Sequence, residues 1–173
     1  MTTAVLSIGS NIGDSTGHLQ SVVDAAGPAV RLVSSVYRTA PWGNVPQDAF
    51  YNAILIADDP GRDPAGWLAF ARECEEHAAR VREVRWGPRT LDVDVVAVFD
   101  DGVAVISGDP ELTLPHPRAH ERAFVLAPWV EVQPEATLPR GPVGILLRSL
   151  DPNDPQQQVE RRDDVHLRMP SDA

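Results

Sequence analysis

Residues 85–99 have the sequence Arg85-Trp86-Gly87-Pro88-Arg89-Thr90-Leu91-Asp92-Val93-Asp94-Val95-Val96-Ala97-Val98-Phe99. The apolar run that follows Asp94 is typical of a strand, which we expect to begin at Asp92. Because residues two apart on a strand point to the same face, the two aspartates are expected to lie side by side. Paired carboxylates suit a hard divalent cation, and the arginines before them suit phosphate oxygens. The local pattern predicts magnesium–nucleotide chemistry.

Strands and helices alternate on the N-terminal side of this segment. Ala4 to Ile8 is predicted to form a short buried strand, followed by a turn-rich loop and a helix that ends at Gly27. Segments 30–39 and 50–57 are predicted to be strands that pair antiparallel. Asp63-Pro64 predicts a helix start, with an N-cap residue followed by proline at the first helical position. The order strand, helix, strand, strand, helix, strand predicts an α+β fold with a ferredoxin-like βαββαβ core.

Extra elements are predicted after this core. Residues 124–129 and 142–150 have the apolar patterns of two short helices. From Asp151 onward the chain is rich in Asp, Gln, Pro and Arg, with few apolar residues. The sequence therefore predicts a single domain over residues 1–150 and a loosely ordered acidic tail over residues 151–173.

Charge and hydropathy exclude several classes of protein. The 173-residue chain has a formal net charge of −10, which argues against a general nucleic-acid binder that would need a basic surface. No apolar run approaches the roughly 20 residues needed to span a membrane, and nothing resembles a signal peptide. We expect a cytoplasmic protein that binds neither nucleic acid nor membrane. The single cysteine, Cys74, is predicted to be an inert thiol in the core.

Arginine provides every basic charge in this chain, because the 15 basic residues include no lysine. A P-loop and a protein kinase each need a lysine on the nucleotide phosphates, so neither scheme can operate here. Four of the arginines lie between residues 80 and 89, just before the aspartate pair. Any nucleotide site must therefore be built from arginine, metal ions and backbone groups.

Four groups of residues, in one unbroken order over about residues 4–140, carry a resemblance to a known family. They are Ile8-Gly9-Ser10-Asn11-Ile12-Gly13-Asp14, Tyr37-Arg38-Thr39-Ala40-Pro41-Trp42-Gly43 with Gln47 and Phe50-Tyr51-Asn52, the run from Arg85 to Asp94, and Leu114-Pro115-His116-Pro117-Arg118 with Glu121-Arg122 and Phe124-Val125-Leu126. In these residues the chain resembles the 6-hydroxymethyl-7,8-dihydropterin pyrophosphokinases. The third group is the most specific of the four.

The resemblance implies an enzyme of folate biosynthesis. Such an enzyme transfers pyrophosphate from ATP to the hydroxymethyl group of a reduced pterin and releases AMP, with the substrate hydroxyl attacking the β-phosphorus. By the same resemblance, Asp92 and Asp94 would hold two Mg²⁺ ions that bridge the triphosphate. This agrees with the residue-based prediction, because phosphoryl transfer needs positioning and charge stabilisation more than covalent chemistry.

The resemblance also implies roles for individual residues. The catalytic residues would be Arg80, Arg82, Arg89, Asp92 and Asp94. ATP would be bound by Glu75, Arg80, Arg82, Trp86, Arg89, His116 and Arg122. For Glu75, an ordinary charge on a helix surface remains the alternative.

A reduced pterin is a flat, polar-edged ring system, so its site needs aromatic faces and a few aimed polar groups. The residues that would bind it by resemblance are Thr39, Trp42, Phe50, Asn52, Asp92 and Phe124. Asn52 can offer both an acceptor and a donor to the pterin edge. For Phe50 and Phe124, the chain alone favours ordinary core packing, and only the family resemblance favours stacking on the pterin.

Two other functions are weighed against this one. The Asp-x-Asp-x-Val pattern is shared with phosphatases that use the first aspartate as a nucleophile, but those place it after the apolar strand and not before it. The stronger alternative is a non-catalytic module that binds nucleotide or pterin and regulates a partner. The complete set of metal and phosphate residues favours the enzyme. Its expected partners are ATP and a reduced pterin, and we expect a monomer.

Overall fold

The computed structural model describes residues 1–11, 13–39, 48–80 and 91–170, with only the backbone described at residue 80. Within these ranges the helices are α1 Ser15–Ala26, α2 Pro64–Arg80, α3 Ala123–Val132 and α4 Val143–Arg148. The strands are β1 Thr2–Ser10, β2 Val30–Val33, β3 Val36–Thr39, β4 Phe50–Asp59, β5 Asp92–Asp100, β6 Val103–Ala104, β7 Ser107–Asp109, β8 Leu112–Leu114, β9 Thr137–Leu138, β10 Gly141–Pro142 and β11 Val159–Arg162. Short 3₁₀ turns occupy residues 27–29, 119–121 and 155–157.

One antiparallel sheet organises the described chain. Its order is β11-β3-β4-β1-β5-β6, with β2 pairing with β4 beyond the end of β3. The short pairs β7-β8 and β9-β10 form separate ribbons. This mixture of helices with an antiparallel sheet confirms the predicted α+β class. No helix within the described ranges is both long and apolar enough to span a membrane.

β1 is the central strand of this sheet and is buried on both faces. Ala4, Leu6 and Ile8 point to the face covered by α1 and α2, where Trp67 is almost fully buried. Val5 points to the other face, which belongs to the cluster formed with α3 and α4. Trp129 is fully buried on this second face, as Trp67 is on the first. Replacing a buried tryptophan with alanine costs about 3–5 kcal/mol, which is a large share of a typical domain's stability.

Two aspartates fix the starts of the helices on the first face. The Asp14 carboxylate accepts from Gly17 N at 3.0 Å and caps α1. Asp63 immediately precedes α2, which begins at Pro64, and its carboxylate accepts from Gly66 N at 2.7 Å. Each bond gives a partner to one of the N–H groups that a helix start leaves without an intrahelical acceptor. The predicted helix start at Asp63-Pro64 is confirmed.

The predicted strand over residues 30–39 is two strands, interrupted at Ser34 and Ser35. The hydroxyl of Ser34 accepts from Ile54 N at 2.8 Å, and Ser35 N donates to the Glu131 carboxylate at 2.9 Å. Ser34 N still donates to Ile54 O at 2.9 Å, whereas the bond from Ile54 N goes to a side chain in place of a backbone carbonyl. Because serine readily bonds to nearby backbone groups, it interrupts a ladder that the apolar pattern alone would continue.

The segment after residue 150 differs from the loosely ordered tail that its composition predicts. Val159–Arg162 forms β11, which pairs with β3 from Val159 opposite Thr39 to Arg162 opposite Val36. Further on, Val165 and Leu167 pack against the cluster beneath α1 and α2. A four-residue edge strand with one apolar residue has almost no signature in composition, because its backbone bonds, not its side chains, hold it in place.

Candidate active site

The sheet face beneath α3 changes character along its length. Beneath the body of α3 it carries apolar side chains such as Val5, Ile54 and Val96. Further along the same strands, small or polar residues take their place: Ser7, Gly9, Asn52, Asp92 and Asp94. Together with Thr39, Phe50, Arg122 and Phe124 they line a cleft of about 310 Å³. This volume lies within the range of small-molecule sites.

Asp92 and Asp94 lie next to each other on one face of β5, as the strand pattern predicts. They pair across β1 with Gly9 and Ser7, whose small side chains leave space above the sheet. Both carboxylates are half-buried. Within the described ranges, no three His, Cys, Asp or Glu side chains are arranged to hold a metal. The pair alone could therefore supply only part of a metal's coordination, and the remainder would come from a bound ligand or water.

Glu75 lies on α2, behind the aspartate pair. Its carboxylate accepts from Val93 N at 2.8 Å, on the peptide between the two aspartates. In the described chain, β6 pairs with β5 only at Phe99 and Asp100. Glu75 therefore satisfies a backbone N–H at an edge that lacks a neighbouring strand there, which fixes the direction of both aspartates.

Gly9, Asn52 and Thr39 form the floor of the cleft beside the aspartates. Asn52 lies opposite Gly9 on β4 and is buried, and its Nδ2 donates to Thr39 Oγ1 at 2.7 Å. A β-carbon at Gly9 would lie 2.5 Å from Asn52 Oδ1. The absence of a side chain at Gly9 is therefore what allows Asn52 its position in the cleft.

Arg122 and Phe124 form the opposite wall, at the start of α3. The Arg122 guanidinium carbon lies 5.4 Å from the centre of the Phe124 ring. Burial lowers the pKa of Arg122 from its ordinary value, while the negative charge of Asp94 opposes that change. The cleft therefore has a half-buried positive charge on one wall and two carboxylates on the other. Such a site suits an anionic ligand that binds together with cations, because the arginine can face the anion and the carboxylates the cations.

His116 lies close to this wall and is oriented by two backbone groups. The backbone N–H of His116 donates to Val96 O at 2.8 Å. Val96 is the extra residue of β5 at the register shift against β1. The Nδ1 atom of His116 accepts from Arg118 N at 3.2 Å. Burial lowers the pKa of His116, Asp94 acts to raise it, and Arg122 and Arg118 lower it further. The ring is therefore neutral near pH 7, and the bond to Nδ1 assigns its proton to Nε2.

Seven of the residues expected at the site line this one cleft. They are Thr39, Phe50, Asn52, Asp92, Asp94, Arg122 and Phe124. Five other expectations fall on Trp42, Arg82, Trp86, Arg89 and the side chain of Arg80, which lie outside the described residues. Sequence reasoning missed Ser7 and Gly9 as cleft residues. The only signal for them is the Gly-Ser-Asn motif, which contains Gly9 and follows Ser7 closely, and this motif is too common to indicate a site.

A sequence model of one family matches most of the chain. The 7,8-dihydro-6-hydroxymethylpterin-pyrophosphokinase model matches residues 5–134. The 2-amino-4-hydroxy-6-hydroxymethyldihydropteridine pyrophosphokinase of Mycobacterium bovis is 49% identical over 181 aligned positions, covering 99% of this chain and 92% of the relative. The protein of the same name from Mycobacterium leprae is 54% identical, covering 80% of this chain and 75% of the relative. The relative from Bacillus subtilis is 37% identical, covering 75% and 77%.

Solved structures share the fold. The HPPK-DHPS triple mutant S436F/A437G/A613S of Plasmodium falciparum, crystallised with SDX-DHP, superposes with a TM-score of 0.63 at 13% identity. The match covers 84% of this chain but 43% of that one, so this chain spans less than half of that structure's length. At this identity the likeness concerns the fold alone.

Proposed function

The chain belongs to the 7,8-dihydro-6-hydroxymethylpterin-pyrophosphokinase family, and on that premise we propose how its cleft carries out the family's reaction. The enzyme transfers pyrophosphate from ATP to the hydroxymethyl group of 6-hydroxymethyl-7,8-dihydropterin in folate biosynthesis. A non-catalytic regulatory module is not favoured, because the named relatives that match most of the chain are pyrophosphokinases. The observation that carries the proposal is the meeting of two carboxylates, an arginine and two aromatic rings in one cleft.

The pterin would occupy the end of the cleft between Phe50 and Phe124, with its edge against Asn52. Aromatic faces suit a flat bicyclic ring, and stacked pairs contribute about 0.5–1.5 kcal/mol beyond the burial of area. One N–H of Asn52 is taken by Thr39, and its carbonyl and second N–H can serve the pterin. The resemblance adds Trp42 to this set. Such an arrangement would direct the hydroxymethyl group towards Asp92 and Asp94.

The aspartate pair fits Mg²⁺, which commonly binds through one or two carboxylates together with substrate phosphates. The small residues opposite, Ser7 and Gly9, leave room for a triphosphate above Asp92 and Asp94. We propose that these two carboxylates hold two Mg²⁺ ions. When bound, the ions would supply neutralisation of the charge on the phosphate oxygens.

The protein's own groups would bind and orient the triphosphate. Arg122 offers planar donors to phosphate oxygens, and the surrounding wall keeps it partly out of water. Neutral His116 offers Nε2–H as a further donor. Glu75 would contact the bound nucleotide, while its Oε1 also accepts a hydrogen bond from Val93 N. The pterin hydroxyl would lose its proton to solvent as its oxygen forms a bond to the β-phosphorus. The bond between that phosphorus and the oxygen that bridges the α- and β-phosphates would break, and AMP would leave with that oxygen.

Arginines from the segment before β5 complete the proposal. Arg80, Arg82 and Arg89 would contact the phosphates and stabilise the transferring group, and Trp86 would lie against the nucleotide. This part rests on the family resemblance, because these side chains lie outside the described residues. Permanent positive charges facing a transferred phosphoryl group are a recurring part of this chemistry.

Other features of the proposal concern the whole protein. We propose a ferredoxin-like core, supported by the strand order in which β4 and β5 flank β1 while α1 and α2 cover one face. We also propose that the enzyme works as a monomer. A cytoplasmic location and the lack of binding to nucleic acid and membrane stay predictions.

The test is to incubate the purified protein with ATP, Mg²⁺ and 6-hydroxymethyl-7,8-dihydropterin and to identify the nucleotide product. We expect AMP that appears only with pterin, together with the pterin diphosphate. Omitting Mg²⁺ and adding a chelator should stop the reaction. ADP or free phosphate as the product would contradict the proposal, and turnover that survives chelation would remove the metal from it.

A further inference from the structure

The chain after α4 crosses the start of α3 before it joins the sheet. Asp154 caps a 3₁₀ turn over Pro155–Gln157 by accepting from Gln156 N at 2.9 Å. β11 follows at once and pairs with β3, where Val159 lies opposite Thr39. Within three residues, 157–159, this segment therefore contacts both sides of the cleft. It contacts the wall at the start of α3 and the strand that carries Thr39.

Gln157 makes the contact with α3 through both ends of its amide. Its Oε1 accepts from Ala123 N at 2.9 Å, and its Nε2 donates to Glu121 O at 2.8 Å. The two bonds bracket Arg122, which lies between their partners. The first N–H groups of a helix have no intrahelical acceptor, and Gln157 supplies one for Ala123.

The bracketed residues carry the functional wall of the cleft. Arg122 has extended backbone (φ −120°, ψ 111°) between the 3₁₀ turn of residues 119–121 and α3. Its side chain and that of Phe124 both line the cleft. A rotation of this joint would move both side chains together, because they are two residues apart on one short segment. The Gln157 amide restrains the joint on both sides.

We propose that Gln157 is a positioning residue for substrate binding, which holds Arg122 and Phe124 at the distance from Asn52 and the aspartates that the substrates need. The inference rests on the proposed placement of the substrates in the cleft. It gives the C-terminal segment a role in the reaction, although no side chain between residues 151 and 170 lines the cleft.

The neighbouring residue provides a matched control. Gln158 Nε2 donates to Pro152 O at 2.8 Å and Asp154 O at 3.2 Å, so its amide bonds stay inside the C-terminal segment. Methionine has the length of glutamine but neither amide group. Gln157→Met and Gln158→Met thus each remove two hydrogen bonds of similar quality, and only the first pair reaches the wall of the cleft.

The experiment compares both variants of the full chain by thermal unfolding and by steady-state kinetics with ATP, Mg²⁺ and 6-hydroxymethyl-7,8-dihydropterin. We expect similar small losses in Tm. Gln157→Met should raise the KM for both substrates by about fivefold to tenfold, with a smaller change in kcat; tenfold corresponds to about 1.4 kcal/mol. Gln158→Met should leave both constants unchanged. Gln157→Glu keeps the acceptor for Ala123 N and should fall between Gln157→Met and the wild type.

Equal KM values in the two methionine variants would overturn the inference, as would a Gln157→Glu variant no better than Gln157→Met. Should Gln157→Met fail to fold, Gln157→Glu against Gln158→Glu gives the same comparison. The Phe124→Ala variant tests the proposed placement of the pterin independently of Gln157. If Phe124→Ala raises the KM for pterin while Gln157→Met does not, the site stands and the positioning role falls. If neither variant changes it, the substrate placement itself is wrong.

Discussion

Asp92 and Asp94 form a like-charged pair at the start of β5. Two adjacent half-buried carboxylates repel each other, and the proposed Mg²⁺ ions would offset this repulsion. Asp92→Ala and Asp94→Ala should each lower turnover by about a hundredfold or more, because metal-assisted charge stabilisation contributes several kcal/mol. Tm should be broadly unchanged. Turnover and a thermal melt of each variant measure both effects.

Asp100→Ala is the control for this pair. Asp100 lies at the other end of β5, and its ion pair with the N-terminal amine, at 3.9 Å, is exposed. Exposed pairs of this kind contribute little to stability. This variant should keep full turnover. If both Asp92→Ala and Asp94→Ala retain turnover, the proposal that these carboxylates hold Mg²⁺ is wrong.

A second prediction concerns the space that Gly9 leaves for the Asn52 side chain. A β-carbon at this position would lie 2.5 Å from Asn52 Oδ1, so Gly9→Ala should displace Asn52 and break its bond to Thr39. Overpacking of this kind costs about 1–3 kcal/mol. We expect pterin affinity, measured by fluorescence titration, to fall more than ATP affinity. Gly108→Ala, where nothing lies within 4 Å of the added carbon, should change neither affinity. Equal losses of both affinities in Gly9→Ala would contradict a local effect.

Side-chain chemistry made some of these residues predictable and left others hidden. Asp92 and Asp94 could be paired from sequence because a strand has a period of two. Phe50 and Phe124 are 74 positions apart, and only the packing of α3 over β4 brings them together. Ser7 and Gly9 matter for the space they leave empty, which has no chemical signature in a sequence.

At the scale of elements, the reactivity of the Cys74 thiol tests how firmly α2 packs against the sheet. Burial, then the charge of Glu73, raises the pKa of this thiol to about 11. At pH 8 only about one molecule in a thousand then carries the reactive thiolate. A thiol reagent such as 5,5′-dithiobis(2-nitrobenzoate) should label native protein slowly and label the protein unfolded in guanidinium at once. The Cys74→Ala variant gives the baseline. Rapid labelling of the native protein would mean that α2 opens readily from the sheet.

The elements that sequence predicted best are those with a local cause. The Asp63 cap and Pro64 start α2 without help from the rest of the fold. The break at Ser34 and Ser35 depends on Glu131, nearly 100 residues away, and no local pattern contains it. β11 likewise depends on the free edge of β3. Both misses arise where distant backbone partners decide the local structure.

For the molecule as a whole, the segment after residue 150 should contribute to stability. Ending the chain at residue 150 removes β11 and the packing of Val165 and Leu167. The loss should be about 2–4 kcal/mol from apolar area and hydrogen bonds, or about 5–15 °C in Tm for a chain of this length. Ending it at residue 170 should leave Tm unchanged. Equal melting curves for the two chains would show that β11 adds nothing to the fold.

The central position of β1 has a consequence for synthesis in the cell. This strand leaves the ribosome before its two neighbours, β4 and β5, which end at Asp59 and Asp100. At about 5–20 residues per second, roughly 5–20 s pass between the completion of β1 and that of β5. During that interval a strongly apolar strand has an unpaired edge, which is a site for aggregation. The nascent chain should therefore depend on chaperones until about residue 100 has emerged.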